Sequence, residues 1–390
     1  MDQVLGLSGS RSGAGQIVRS AFADCEDVNA IDRLAGILVP EDLAMVILFL
    51  SPSANVDALI AEAKQRFAPV PVVGCTTAGE ISPAGYTEGE IVAVGLPSSN
   101  FLAQTILVPD LDDFQGQSLI ESMIRERNVM AAVEPDWKSE FTFLLIDGLS
   151  TREDALTAEL AMGLGPVPLF GGSAGDGENF ESTRILYDGQ ALPNAAVLIQ
   201  VRSNCPIKVF NTDHLIPTEA RMVVTSADPA RRVVHEINAE PAAGEFARIV
   251  GKNPDQLDTF TFAAHPVVVR IGDHHHVRAI QQVDENGDLV FFSAIDEGVV
   301  LTLAEPENMV IHLTRELERL SEKGAPDTIL GCDCVLRRIE AQQKQMTGDL
   351  SRLLSKHRVV GFSTYGEQVN TMHVNHTLTG VAIYPPDTQG

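Results

Sequence analysis

The sequence predicts an α/β protein of two domains, residues 1–210 and 211–390, with mixed sheets built on repeated strand–helix–strand–turn–strand units and an antiparallel meander in the C-terminal half. Internal repetition is the first observation behind this. Residues 47–80 (ILFLSPSANVDALIAEAKQRFAPVPVVGCTTAGE) and 144–177 (LLIDGLSTREDALTAELAMGLGPVPLFGGSAGDG) align at one constant offset. Asp57-Ala58-Leu59 meets Asp154-Ala155-Leu156, Pro69-Val70-Pro71 meets Pro166-Val167-Pro168, Gly74 meets Gly171, and Thr76 meets Ser173. A third copy closes the chain, where residues 359–367 (VVGFSTYGE) parallel residues 72–80 (VVGCTTAGE). Recurrence of this kind marks one supersecondary unit used several times. The second observation is a change of texture: residues 205–320 lack the repeat, and a boundary falls near residues 205–217, around Cys205-Pro206 and Ile216-Pro217.

Each copy follows one order of elements. Short apolar runs at 46–50, 141–146 and 328–330 read as strands buried on both faces. Polar residues suited to a helix N-terminus follow, Ser53-Ala54-Asn55 and Ser150-Thr151-Arg152-Glu153. Val56, Leu59, Ile60, Ala63 and Phe67 share a helical face. In the third copy Leu336, Ile339, Gln343, Met346, Leu350 and Leu353 outline a longer helix. A second strand then enters a glycine- and hydroxyl-rich turn, and residues 91–96, 195–201 and 378–384 end the units. Between the second and third copies, His235-Glu236-Ile237-Asn238 before Pro241 predicts a strand, a turn and a helix begun by proline. Residues 267–271, 277–283, 289–293 and 299–303 predict the meander, with Asp284-Glu285-Asn286-Gly287 as a hairpin turn. Glu305-Pro306 is expected to start a helix carrying Met309, Leu313, Leu317 and Leu320 on one stripe.

Composition restricts function. The 390 residues carry 28 Lys and Arg against 53 Asp and Glu, a formal charge of −25, which repels nucleic acid and anionic lipid. No segment reaches the ~20 apolar residues of a membrane helix, and residues 1–6 lack the features of a signal peptide, so a cytoplasmic location is expected. Five scattered cysteines argue against a disulfide framework. The Cys332-Asp333-Cys334 triplet has no second pair to complete a zinc tetrahedron and reads as buried small hydrophobes. No nucleophile elbow, H-E-x-x-H or ordered triad supports an enzyme. Cys75 sits at a strand end, yet Gly172 and Phe362 replace it in the other copies.

Three groups of residues together resemble the FIST family: residues 74–81 (GCTTAGEI), residues 171–176 (GGSAGD), and Tyr365-Gly366-Glu367 with residues 375–380 (NHTLTG). The resemblance runs from about residue 40 to the end. It implies an N-terminal FIST domain followed by a FIST C-terminal domain, sensory modules linked to signal transduction. Residues 372–383 (MHVNHTLTGVAI) are most similar to the NosP subgroup of nitric-oxide-sensing haem proteins. That similarity implies a b-type haem, nitric oxide as ligand, and a partner that is a histidine kinase or a cyclic-di-GMP enzyme (diguanylate cyclase or phosphodiesterase).

A haem sensor needs an axial ligand, usually a neutral imidazole. His373 and His376 lie between the third glycine turn and its final strand. Their odd separation places them on opposite faces of an extended chain, so one at most faces a given pocket. His373 is the preferred axial ligand, and a solvated or core histidine is the alternative. His274-His275-His276 read as an exposed turn; His214, His235 and His357 have no special context; His265 could line a pocket; His312 reads as a core histidine. Glu80, Asp176 and Glu367 at the turns are either solvated or pocket-edge acids beside backbone N–H groups able to hold a small polar ligand. The leading expectation is a haem-based nitric oxide sensor; the alternative is a non-haem sensory module for a small organic ligand such as an amino acid.

Overall fold

The computed structural model describes residues 16–272 and 274–386; residues 1–6, expected to lack a signal peptide, lie outside them. The chain is mixed α/β, and each repeat is longer than its matching segment. The first unit comprises β1 (Arg19–Asp24), α1 (Ala30–Leu38), β2 (Leu43–Leu50), α2 (Val56–Phe67), β3 (Val72–Thr76), a hairpin of β4 (Glu80–Ser82) and β5 (Gly85–Thr87), and β6 (Glu90–Pro97). The second repeats this order with β7 (Phe101–Val108), α3 (Gly116–Val133), β8 (Ser139–Ile146), α4 (Glu153–Leu164), β9 (Leu169–Ser173), a hairpin of β10 (Ile185–Tyr187) and β11 (Gln190–Leu192), and β12 (Ala196–Ser203).

The third unit opens with β13 (Ile207–Thr212) and is then interrupted by an inserted sheet. The insertion holds β14 (Leu215–Asp228), β15 (Val233–Ile237), β16 (Glu240–Pro241), α5 (Ala242–Val250), α6 (Thr259–Ala264), β17 (Val267–Ile271), β18 (His274–Arg278), β19 (Ile280–Val283), β20 (Leu289–Phe291) and β21 (Val300–Pro306). The unit resumes with α7 (Met309–Leu320), β22 (Thr328–Cys334), α8 (Val335–Gln343), α9 (Thr347–Lys356), β23 (Val359–Thr364), a hairpin of β24 (Glu367–Val369) and β25 (Met372–Val374), and β26 (Leu378–Ile383).

The hairpins are exchanged. β10 of the second unit pairs with β3 of the first, β4 of the first pairs with β23 of the third, and β24 of the third pairs with β9 of the second. Each unit lends a hairpin to one neighbour and receives one from the other, a closed ring of three. The three six-stranded sheets therefore share one strand order, β1-β6-β2-β3-β10-β11, β7-β12-β8-β9-β24-β25 and β13-β26-β22-β23-β4-β5.

The apolar strands lack an obvious alternation because both faces are covered. Met45, Ile47 and Phe49 point into one shared core with Phe141, Phe143, Leu330, Phe362 and their neighbours from all three sheets. Val46, Leu48 and Leu50 point the other way, onto α1 and α2. The second and third sheets repeat this, with α3 and α4, and with α7 and α9, on their outer faces. In the shared core Phe49 stacks on Phe362 at 4.8 Å and Phe143 on Phe170 at 4.6 Å.

One glycine recurs for a reason visible in the backbone. A Cβ on Gly74 would lie 1.9 Å from the Leu48 carbonyl oxygen, on Gly171 2.4 Å from that of Leu144, and on Gly361 1.8 Å from that of Gly331. In each unit the parallel neighbour strand approaches too closely for any side chain.

Several expectations are corrected. The long helix across residues 336–353 is two helices, because Gln345 takes a left-handed φ of 56°. The meander is split: β14 and β15, the former not anticipated, lie between β21 and β20, giving the order β18-β17-β21-β14-β15-β20-β19. Pro306 ends β21, and α7 starts after Asn308, whose side chain caps Ile311 N. The His274-His275-His276 run opens β18 rather than a turn. In the hairpin turn after β19 Gly287 takes positive φ and Asn286 does not. No helix among the described residues is long and apolar enough to cross a membrane.

Candidate functional site

The glycine turns end parallel strands, and two open clefts form around them where units meet. One, of about 340 Å³, is bounded by Ser51, Pro52 and Ser53 after β2, Ala78, Gly79 and Glu80 in the first turn, Glu88 and Gly89 after β5, Gly177 and Glu178 in the second turn, and Arg338 and Gln342 on α8. The crevice beyond the carboxyl ends of parallel strands is where α/β sheets commonly bind ligands. The other, of about 370 Å³, lies beside the α2 N-terminus among Asn55, Asp57, Asp176, Asn179 and Arg184. A third cleft, near Lys64 and Pro69, is remote from the turns, and its charges, Lys64 and Asp188, pair with each other at 2.9 Å.

Arg338 gives the first cleft its cation. Its Nη1 donates to the Glu80 carbonyl and Ser363 Oγ, each at 3.3 Å, and its Nη2 donates to the Thr87 carbonyl at 2.7 Å and Glu88 Oε1 at 3.1 Å. The guanidinium carbon lies 5.1 Å from the Tyr86 ring centre. Gly79, with φ 118°, makes room for it: a Cβ there would lie 2.5 Å from Cζ. Glu80 is fully buried. Thr77 Oγ1 donates to its Oε1 at 2.5 Å and Glu90 N to its Oε2 at 3.2 Å. Burial pushes its pKa up to about 7, against the pull of those hydrogen bonds and of Arg338.

The solvated reading of the turn acids is overturned, since Glu80, Asp176 and Glu367 are all buried. Asp176 accepts from the backbone N–H groups of Phe180, Glu181 and Ser182 at 2.7–2.9 Å and from the Tyr365 hydroxyl. Glu367 accepts from Thr377 N and Oγ1, and burial raises its pKa well above the ordinary carboxyl value. Cys75, Cys332 and Cys334 are buried too, and desolvation raises each thiol's pKa, so none is a ready thiolate.

His373 and His376 are both buried, but the chain is not extended between them: His373 is in β25, and His376 lies in the bend before β26 with a left-handed φ of 58°. His373 Nδ1 faces Gln368 Nε2 and its Nε2 faces the Phe292 carbonyl, both at 3.2 Å. Its ring fills the space that a Cβ on Gly366 would need, with Cε1 2.2 Å away. The contacts close a ring: Gln368 also reaches Ser173, Ser173 reaches Glu153, and Glu153 pairs with Arg232, which donates to the same Phe292 carbonyl. These groups join the second unit, the insertion and the third unit. Neither histidine lines the clefts described above. With both ring nitrogens engaged, His373 has no lone pair free for iron in this arrangement.

His376 enters a cluster that sequence reading missed. Its Nε2 lies 3.4 Å from Glu340 Oε2, and His214 Nε2 lies 2.9 Å from the same oxygen. The three ligand atoms fall within 4.8 Å of one another, as metal ligands do. The tautomer opposes a metal. Arg337 Nη1, always a donor, faces His214 Nδ1 at 2.8 Å, so that nitrogen holds the lone pair and Nε2 holds the proton given to Glu340. A ligating imidazole needs the reverse, an acceptor behind it. Glu340 is the charged member: burial opposes its ionisation, but the two imidazoles lower its pKa and Lys344 Nζ donates to Oε1 at 2.7 Å. His214 is kept neutral by burial, its pKa about 3. The cluster is thus a hydrogen-bonded knot joining α8 to β14's lead-in and the β25–β26 connection. The signal for it lay in Arg337-Arg338-Ile339-Glu340, charges on a helix buried on every side.

These features define a mixed α/β protein in which three hairpin-exchanging units frame clefts at their strand ends. The chain belongs to the FIST family: a FIST N domain matches residues 44–240 and a FIST C domain residues 242–370. It is also similar to the uncharacterized protein MJ1623 of Methanocaldococcus jannaschii, 22% identical over 314 residues, covering 72% of this chain and 58% of that protein.

Proposed function

We propose that this chain is a non-enzymatic sensor that binds a small amino-acid-like molecule in the Arg338–Glu80 cleft and reports to a partner histidine kinase or cyclic-di-GMP enzyme. The supporting observation is the buried guanidinium of Arg338 bordering an open cleft at the ends of parallel strands, with Glu178 at the rim. A fixed cation and a nearby acid suit a molecule that carries both a carboxylate and an ammonium group. A ligand bound only by the folded state raises the melting temperature. Screening the twenty proteinogenic amino acids by thermal shift is expected to give a dose-dependent rise for at least one; no rise with any of them would remove this reading.

The nitric-oxide reading through haem has the resemblance of residues 372–383 as its support, and it requires β25 to leave Gln368 and Phe292. Reconstitution with haemin tests it. A Soret band that disappears in His373→Ala supports that reading, and absence of a band in the parent protein ends it.

A further inference from the structure

We infer that Glu88 is a tethered occupant of the anchoring position for the ligand: the incoming carboxylate takes Arg338 Nη2 in its place and releases the turn between β5 and β6. This rests on the cleft being the sensing site.

The Arg338–Glu88 pair is lopsided. The Arg338 side chain is 6% exposed and that of Glu88 is 70% exposed. The guanidinium's remaining contacts go to groups fixed by the fold, two backbone carbonyls of the exchanged hairpin and Ser363 in β23. Glu88 alone among these acceptors belongs to an exposed side chain, so it is the partner that can leave. Solvent screens the exposed member of this pair, so an external carboxylate can compete with it. A neutral group cannot compete equally. The buried N–H would exchange a charged acceptor for a weaker one.

The turn has room to move. Gly89 takes φ 75°, and a Cβ there would meet nothing within 4 Å. Gln342 Nε2, which faces Glu88 Oε1 at 3.5 Å, supplies a second donor to whatever replaces it. Thr87, next in sequence, ends the strand that the first unit lends to the third. Displacing Glu88 therefore acts on the exchanged hairpin itself, at the junction between two units.

The test uses the full chain and its Glu88→Ala variant, with the twenty amino acids and their α-carboxamides as probes. Thermal shift identifies binding and calorimetric titration measures Kd. The expected result is binding of the acid but not of its carboxamide, with Glu88→Ala tightening the acid about two- to fivefold. Equal binding of acid and carboxamide, or an acid Kd unchanged or weakened by Glu88→Ala, overturns the displacement and leaves the cleft as the sensing site. Binding of neither probe class overturns both.

Discussion

Gly74, Gly171 and Gly361 do the same work in three places, and the close approach of the neighbouring strand requires each, with a φ of 151° adding to the demand at Gly361. At Gly74 a methyl group would lie 1.9 Å from a backbone oxygen of β2, which no rotamer change relieves. Gly74→Ala is therefore expected to cost more than about 4 kcal/mol, read as loss of soluble protein or of a cooperative urea transition. By contrast Gly177→Ala, where a Cβ meets nothing, should cost about 1 kcal/mol, from its φ of 76° alone. Glu80 makes a pH prediction. Its pKa is near 4.5 when unfolded and about 7 when folded, so between those values the folded state holds the extra proton. Stability then falls as pH rises through that window, by about 3 kcal/mol from this group. Glu80→Gln removes the term. Relative to the parent, the variant should gain stability between pH 5 and pH 7.5, measured as the shift in urea midpoint at unchanged m.

Among the elements, those set by local chemistry were legible: the strand pairs around Gly74, Gly171 and Gly361, α2 with its Asn55 cap, and α5 after Pro241. Local periodicity failed where distant contacts decide. Residues 336–353 keep a helical stripe throughout, yet the chain breaks at Gln345 so that α8 is buried on every side while α9 lies on the third sheet. The hairpins escaped notice because three-residue strands such as β24 are defined by a partner far along the chain. His214 had no readable role for the same reason: its partners Arg337 and Glu340 lie on α8. The cleft fared better in part, since Glu80 and Gly79 stood in a motif already singled out, while Arg338 and Glu88 did not. The start of α7 offers a test of local control. Asn308 Oδ1 accepts from Ile311 N at 3.0 Å, and Asn308→Ala should cost about 1 kcal/mol in urea unfolding without changing ligand binding at the distant cleft.

For the whole molecule the exchange of hairpins sets cooperativity. A fragment of residues 16–204 holds complete strands of two units, but its second sheet would lack β24 and β25, and its own β4–β5 hairpin would have no sheet to join. It would also expose the face of Phe49 that stacks on Phe362, with the rest of the core it shares with Leu330, Val360 and Val381 of the third unit. The complementary fragment, residues 205–386, would lose β4 and β5 from its sheet and leave β24 unpaired on β9's side. Each half thus keeps much of its sequence-local structure while losing strand pairs and apolar burial that its conformational entropy requires. Neither half alone is expected to melt cooperatively. Co-expressed, they should associate and restore a single transition, because every lost pairing is intermolecular and complementary in the pair. Differential scanning calorimetry of each half and of the reassembled complex decides the matter: a sharp transition for residues 16–204 alone, at the parent temperature, would mean that the ring of exchanged hairpins decorates two independent domains rather than binding them into one.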